Sequence, residues 1–478
     1  MKKFPLAASV AALLLVTLPL SSCFQSHGNT ADTDPSEVVT IPPVTIPTEP
    51  DDRTLTNLSV YTDHLDSLMA VTEDPSPAED FTYETSADGT VTITGYVGDA
   101  RAESNQTDGI TVVIPDSIDG KTVTTIAADA FADHAAIERL AIPDSVTSIG
   151  FGAFKGCKGL VAMRTPVYTC EGAPYFGALF GAESHNANGY TVPTGLTTLV
   201  LTAGETIPDC TFYACRNLKV VGLPAELTEM GNFAFYNCQS LVYIATAKTA
   251  LHTVGQNAFT NCESLLSLDI PATAETLGFA MLEGCGVLES LTLPFVGGSR
   301  TVADTAYLSY LFGAADYTFS AGFLPYSLIN VTLREGCGDI PANAFFECAS
   351  IQSVTLPEGV TSIGRRAFYG CEKLAEMTLP DSVAAIGDDA FHGCIRLTSF
   401  AGGQGLTTLG VQTFMDCVSL HTVTLPDTVT HLPNSCFAGC VSLVSLTADG
   451  VRTEGEQVFR HCGRLGWPWV NAECVPAK

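Results

Sequence analysis

The segment Leu374-Ala375-Glu376-Met377-Thr378-Leu379-Pro380-Asp381-Ser382-Val383-Ala384-Ala385-Ile386-Gly387-Asp388-Asp389-Ala390-Phe391-His392-Gly393-Cys394 decides the fold, because it is one unit of a repeat. Leu374, Met377 and Leu379 point inward from one short strand, and Val383 and Ile386 do so from a second. Pro380 and Gly387 punctuate the corners, and Ala390-Phe391 fills the turn. A Phe three residues before a Cys recurs at Phe154/Cys157, Phe212/Cys215, Phe235/Cys238, Phe259/Cys262, Phe345/Cys348, Phe368/Cys371, Phe391/Cys394, Phe414/Cys417, Phe437/Cys440 and Phe459/Cys462. Leu282/Cys285 has Leu for Phe and Phe131/His134 lacks the Cys, which makes twelve copies. Within uninterrupted runs the Phe-to-Phe spacing is 22 to 24 residues, most often 23. A single coil of that length cannot bury its apolar face, but stacked coils build a continuous core. At strand spacing twelve coils reach roughly 55–60 Å, with the Phe column as an internal spine.

The pattern L-x-x-φ-x-L-P…φ-x-x-I-G-x-x-A-F-x-x-C resembles the BspA-like subclass of leucine-rich repeats found on bacterial surface proteins, over about residues 110 to 465. The fold class this implies is mainly β: a right-handed leucine-rich-repeat solenoid of parallel β-sheets, about twelve 23-residue coils with two related insertions. The solenoid is expected over residues 127–465, after an N-terminal hairpin and cap at 81–126 and before a C-terminal cap at 466–478 that carries Trp467 and Trp469. Phe81 to Val97 alternates around Asp88-Gly89, which predicts a β-hairpin with a type I′ turn.

Two gaps interrupt the period: Phe154 to Phe212 is 58 residues and Leu282 to Phe345 is 63. Each exceeds two periods, so each holds an insertion (about 166–200 and 295–330) together with a missing or disguised coil. The insertions resemble each other. One carries Leu179-Phe180-Gly181-Ala182, Val192-Pro193 and Ile207-Pro208, and the other Leu311-Phe312-Gly313-Ala314, Leu324-Pro325 and Ile340-Pro341. Both are rich in aromatics. They read either as small hydrophobic cores of bulges or as a ligand platform. On the second reading, Tyr175, Tyr190, Tyr310 and Tyr326 include solvent-facing binding residues, because aromatics offer large contact area with few rotatable bonds.

At the N-terminus, Lys2 and Lys3 precede a mostly apolar run from Leu6 to Leu20, too short to span a bilayer comfortably and suited to a secretory signal. The run ends in Leu20-Ser21-Ser22-Cys23, which resembles the lipobox of bacterial lipoproteins. That resemblance implies a signal peptide over residues 1–22, cleavage before Cys23 and acylation of Cys23. An ordinary signal peptide cut nearby is the other reading. Two or three acyl chains, at about 0.8 kcal/mol per buried methylene, would make a stable anchor. Residues 23–80 form an acidic, Pro-rich linker: Phe24 to Asp80 holds seven prolines, twelve carboxylates and one Arg. Within it, Leu55 to Val71 places Leu55, Leu58, Leu65, Leu68 and Met69 at spacings of a short helix.

Of the 478 residues, 22 are basic and 51 acidic, a formal charge of −29. Nucleic acid is therefore not expected as a main partner, since binding it needs cations to neutralise phosphates. The eleven repeat cysteines read as small buried apolar residues with free thiols. Adjacent coils bring their Cα atoms within bridging range, but parallel side chains in a ladder seldom meet the disulfide dihedral. No zinc pattern, nucleophile elbow, Walker loop or dinucleotide fingerprint occurs. Paired carboxylates such as Asp388-Asp389 read as a solvated face. No enzyme, cofactor or metal site is expected.

Outward residues of the first strand form two columns, Ser267, Ser290, Ser353, Glu376, Ser399, Thr422, Ser445 and Asp269, Thr292, Thr355, Thr378, Ala401, Thr424, Thr447. Such ladders favour β-structure and solubility, and they also make a broad hydrogen-bonding concave surface. The resemblance implies an exported, outward-facing envelope protein, monomeric and lipid-anchored, that binds a host or bacterial surface protein in adhesion. A carbohydrate-binding surface protein using the aromatic insertions, or a structural envelope protein without a specific ligand, are the alternatives.

Overall fold

The computed structural model describes residues 74–98 and 109–465. Cys23, the signal peptide, nearly all of the linker with its Leu55–Val71 segment, and the C-terminal cap with Trp467 and Trp469 lie outside the described residues.

Each coil begins with a short strand whose middle residue is buried between two outward neighbours. Glu376–Thr378 shows this: Met377 is buried and Glu376 and Thr378 are exposed. Such strands stack in parallel, residue on residue, as Glu376↔Ser399↔Thr422↔Ser445. They form sheets of six, four and four strands, fourteen in all, from Ile110–Val113 to Ser445–Thr447. A second column consists, after Lys121–Ile126, of two-residue strands such as Ala385–Ile386. The core runs unbroken through the described solenoid, and Leu374, Met377, Leu379, Val383, Ile386 and Phe391 all belong to it.

Backbone hydrogen bonds explain why the turn holds its shape. Pro380 O accepts from Val383 N–H (3.2 Å), Phe391 O from Cys394 N–H (3.2 Å) and Cys394 O from Leu397 N–H (3.0 Å), so one-turn i→i+3 bonds close three corners. Between them, Asp389, Phe391 and Gly393 donate to the next coil at Val411, Thr413 and Met415 O (each 2.9 Å). This third inter-coil ladder requires left-handed backbone on either side of the Phe: Asp389 has φ +54° and Gly393 φ +71°. Most of the equivalent residues are not glycine, and at Asn257 and Asn261, or Gln412 and Asp416, a bond to the neighbouring coil opposes the local cost of αL.

The Phe column stacks as a spine. Phe345, Phe368, Phe391, Phe414, Phe437 and Phe459 follow one another at centroid distances of 5.0, 5.0, 5.5, 5.3 and 5.8 Å with near-parallel rings. Offset parallel stacking is what the strand repeat permits, because the rings inherit its spacing.

At the N-terminal side, Phe81–Thr85 and Val91–Tyr96 pair as a hairpin, and Val91–Tyr96 adds in parallel to Lys121–Ile126 of the second-strand column. The turn is not type I′. Gly89 alone is left-handed (φ +86°), Gly89 N–H donates to Ser86 O (3.0 Å) and Ser86 N–H to Thr90 O (2.8 Å). A type I′ turn needs positive φ at both central residues, and a three-residue loop that ends in a left-handed Gly forms instead. Asp88 favours this form by accepting from both Thr90 N–H (3.0 Å) and Thr90 Oγ1 (2.8 Å).

Neither long gap omits a coil. Successive first strands begin at Ala162, Thr198 and Val220 across one gap and at Ser290, Asn330 and Ser353 across the other. Each gap is thus one enlarged coil of 36 or 40 residues followed by one of 22 or 23.

Candidate binding surfaces

Each enlarged coil replaces the Phe-x-x-Cys turn by a 3-10 helix, Phe176–Phe180 in the first and Leu308–Phe312 in the second. Both end on a left-handed glycine, Gly181 (φ +85°) and Gly313 (φ +93°). Both sit in the turn ladder in the same way. Leu179 O accepts from Phe154 N–H (2.9 Å) while Phe176 N–H donates to Thr211 O (2.8 Å). Leu311 O accepts from Leu282 N–H (2.8 Å) while Leu308 N–H donates to Ala344 O (2.8 Å). The inserted chain therefore continues the stack before it bulges outward.

The bulge is pinned differently in the two copies. In the first, buried Asn188 accepts from Gly177 N–H (3.0 Å) and donates through Nδ2 to Thr211 O (3.1 Å) and Tyr213 O (3.0 Å). In the second, Ser320 takes the place of Asn188 and Ser309 that of Gly177, and the two buried hydroxyls bond each other at 2.8 Å. A Cβ on Gly177 would meet Asn188 Oδ1 at 2.4 Å, so the long amide needs glycine opposite and the short hydroxyl accommodates serine.

Beyond the pin, four-residue helices Asn188–Thr191 and Ser320–Phe323 lead back to the strand column. Here the four tyrosines part. Tyr190 is 85% exposed and Tyr326 86%. Tyr175 and Tyr310 instead pack against the core; Tyr310 also touches Phe279 (5.3 Å) and Tyr307 (6.0 Å). Burial pushes the phenols of Tyr175 and Tyr310 above their ordinary range. Phe319 (58%) and Phe323 (43%) are exposed as well, which aromatic content alone did not single out.

Each module also starts an aromatic ladder along the turn edge. The residue after the spine Phe stacks on its counterpart one coil on: Tyr213 on Tyr236 (5.0 Å, 8°), and Phe346 on Tyr369 (5.0 Å, 6°) with His392 next (4.8 Å). His185 meets Tyr213 edge-on (5.3 Å) and Tyr317 meets Phe346 edge-on (5.3 Å), so a module residue begins each ladder. Their ring faces are spent on one another, which leaves edges rather than faces to solvent.

The strand face divides into two halves. From Ser353 onward its columns are open: Ser353, Thr355, Glu376, Thr378, Thr422, Thr424, Ser445 and Thr447 are exposed. Arg334 crosses the earlier part, paired with Asp269 and donating through Nε to Ile270 O (2.8 Å). Towards the N-terminus the same columns turn aliphatic, reading Ala162, Thr198, Val220, Tyr243 and Arg164, Val200, Gly222, Ala245.

Two readings of polar residues change. Of Asp388 and Asp389 only the first is solvated: Asp388 is exposed and accepts from Val411 N–H of the next coil (2.7 Å), whereas Asp389 is buried beside Arg366 Nε (3.4 Å) and His392 Nδ1 (3.4 Å). Both carboxylates serve the turn. The eleven column cysteines are buried, nine of them (Cys215 to Cys440) as free thiols, and they are not merely apolar filler. Cys371, Cys394 and Cys417 donate Sγ–H to Phe345, Phe368 and Phe391 O at 3.1, 3.2 and 3.0 Å, each one coil back. Burial pushes the thiols up, Cys285 to about 12.

Among the described residues no group of three or more His, Cys, Asp and Glu is placed to hold a metal ion, and no helix is long and apolar enough to cross a membrane. The model of the BspA type leucine-rich repeat region matches residues 120–171, 192–306 and 327–465, well over half of the chain. The chain belongs to the BspA-type leucine-rich-repeat family. The stretches between the matched BspA-type segments, 172–191 and 307–326, fall inside the two enlarged coils. Similar solved structures include a leucine-rich repeat protein from Bacteroides ovatus (22% identity, 82% of this chain and 81% of that one, TM-score 0.30). A leucine-rich cell surface protein from Faecalibacterium prausnitzii is 20% identical (80% and 96% covered, TM-score 0.20), and the pneumococcal vaccine antigen PcpA is 20% identical (80% and 88% covered, TM-score 0.28). No curated protein matches the chain.

Proposed function

We propose that this BspA-type protein is exported, anchored by lipid at Cys23, and binds a protein on a host or bacterial surface, with its enlarged coils as the contact sites. The observation that carries the reading is the exposure of Tyr190 and Tyr326 at 85% and 86%. A stacked repeat presents nearly equivalent surfaces on every coil, so specificity is most easily written into what departs from the repeat. Tyr190 stands alone on the first module, while Phe319, Phe323 and Tyr326 cluster within eight residues on the second. Exposed aromatics of this kind are common anchors at protein interfaces. Tyr175 and Tyr310 belong to the packing beneath. The lipobox Leu20-Ser21-Ser22-Cys23 supports the anchor, and the acidic Pro-rich linker would hold the solenoid away from the membrane.

The test has two parts. The full chain is screened on arrays of surface proteins and of glycans, and binding of its ligand is measured for Tyr190→Ala and Tyr326→Ala. One of these should weaken binding by about 1–2 kcal/mol, a factor of roughly 5–30, with an unchanged denaturation curve. Binding that survives both substitutions would place the contact on the Ser/Thr columns instead, and glycan hits alone would replace the protein partner by a carbohydrate. For the anchor, mass spectrometry of the mature N-terminus should find an acylated Cys23, and Cys23→Ser should abolish partition into detergent. An unmodified N-terminus elsewhere would end the lipoprotein reading.

A further inference from the structure

Val200 and Val220 break the logic of their strands. In Thr198–Leu201 and Val220–Gly222 the inward residues Leu199, Leu201 and Val221 join the main core, and register puts Val200 and Val220 on the opposite, outward face. Equivalent positions farther along, Thr378 and Glu376, are exposed. Yet Val200 is 1% and Val220 3% exposed, and they form an apolar cluster separate from the core. The described apolar side chains packed with them are Tyr243 and Ala245, from the same face of the same sheet. Neighbours within one sheet flank a side chain and leave its top open, so burial this complete calls for a further element laid across the face.

We propose that this element is the chain's own segment Leu55–Val71, seated by its apolar residues on the Val200/Val220 patch. This segment lies outside the described residues, and two observations select it. Ser76 is tied to the edge strand of this sheet: its N–H donates to Val113 O (2.9 Å) and its Oγ accepts from Val113 N–H (3.1 Å). The patch strands are the third and fourth neighbours of that edge, about 14–19 Å away at strand spacing. A 17-residue helix would be about 25 Å long, enough to reach across the patch. Chemistry agrees with reach. The segment carries Leu55, Leu58, Leu65, Leu68 and Met69, with Asp63 and Asp66 and no Lys or Arg. The sheet flanks the patch with Arg139, and with Arg164, which is paired with Asp144 (3.3 Å). Seated there, the segment covers the N-terminal half of the face and leaves the Ser/Thr columns from Ser353 onward open to a partner.

Thiol labelling of the full chain, read by peptide mass spectrometry, tests this. Val220→Cys should label about tenfold or more slowly than Thr378→Cys, since the first waits for the segment to lift and the second does not. Adding Leu65→Asp and Leu68→Asp to Val220→Cys should raise its rate to that of Thr378→Cys. The column thiols report the fold in the same experiment: they stay unlabelled while the solenoid is intact, and if the acidic pair exposes them, Leu68→Ala replaces it. Equal rates for Val220→Cys and Thr378→Cys in the unaltered segment would overturn the proposal. An unchanged slow rate after the segment substitutions, with column thiols protected, would also overturn it, because another part of the chain would then cover the patch.

Discussion

Replacing Asn188 by Ala should destabilise the first enlarged coil by about 2–4 kcal/mol. The figure follows from what the amide holds. Gly177 N–H loses its acceptor at 3.0 Å and Tyr213 O loses its donor at 3.0 Å, whereas Thr211 O keeps the Phe176 N–H at 2.8 Å. One buried and one partly buried backbone group are thus orphaned, each at about 1–3 kcal/mol before relaxation, and one bond is lost at about 0.5–1.5 kcal/mol. Partial solvent entry through the bulge brings the sum to the lower part of that range. The second module supplies a stronger test, because it meets the same need with Ser309 and Ser320. Gly177→Ser alone should also destabilise, since its Cβ would sit 2.4 Å from Asn188 Oδ1. Gly177→Ser combined with Asn188→Ser should recover much of the loss, giving a coupling of about 1–3 kcal/mol in a double-mutant cycle. Urea denaturation followed by circular dichroism measures the unaltered chain, Asn188→Ala and the three variants of the cycle, Gly177→Ser, Asn188→Ser and their combination. Strict additivity, or an Asn188→Ala protein within about 0.5 kcal/mol of the unaltered one, would refute the equivalence of the two modules.

Two further outcomes are expected. Phe391→Ala removes a ring stacked on both sides and should cost roughly 3–5 kcal/mol, while Thr378→Ala, on the open face, should stay within about 0.5 kcal/mol; equal effects in denaturant melts would contradict the inward and outward assignment. The second concerns pH: burial raises the pKa of column thiols such as Cys215, Cys262, Cys371 and Cys417 in the folded chain, whereas the unfolded chain ionises near 8.5. Their contribution is therefore complete below about pH 8.5 and is lost as pH rises towards the folded values, at about 1.4 kcal/mol per pH unit for each thiol. Denaturation under reductant between pH 7 and 10 should show a steep fall, shallower in Cys394→Ala/Cys417→Ala, and a flat profile would mean that the thiols ionise in the folded state.

The repeat, its inward Phe column, the free cysteines and the kinship of the two insertions were legible in the linear chain. Each is a matter of period and residue type, and a stack copies local geometry from one coil to the next, so period translates directly into contact. What escaped was whatever depends on the neighbouring coil or on the other side of a sheet. The left-handed residues flanking each Phe carry Asp, Asn, Gln and Ala as well as Gly, because the bond to the next coil, not local propensity, holds them there. Asp389 appeared as surface charge because its burial is set by Arg366 of the preceding coil together with His392 of its own turn. Tyr190 and Tyr310 look alike as letters in related inserts, yet one stands in solvent and the other packs on Phe279, which only the path of the bulge decides. Val200 and Val220 carry the same lesson: alternation assigns them to the outer face, and only the tertiary structure reveals that this part of the outer face is an interior.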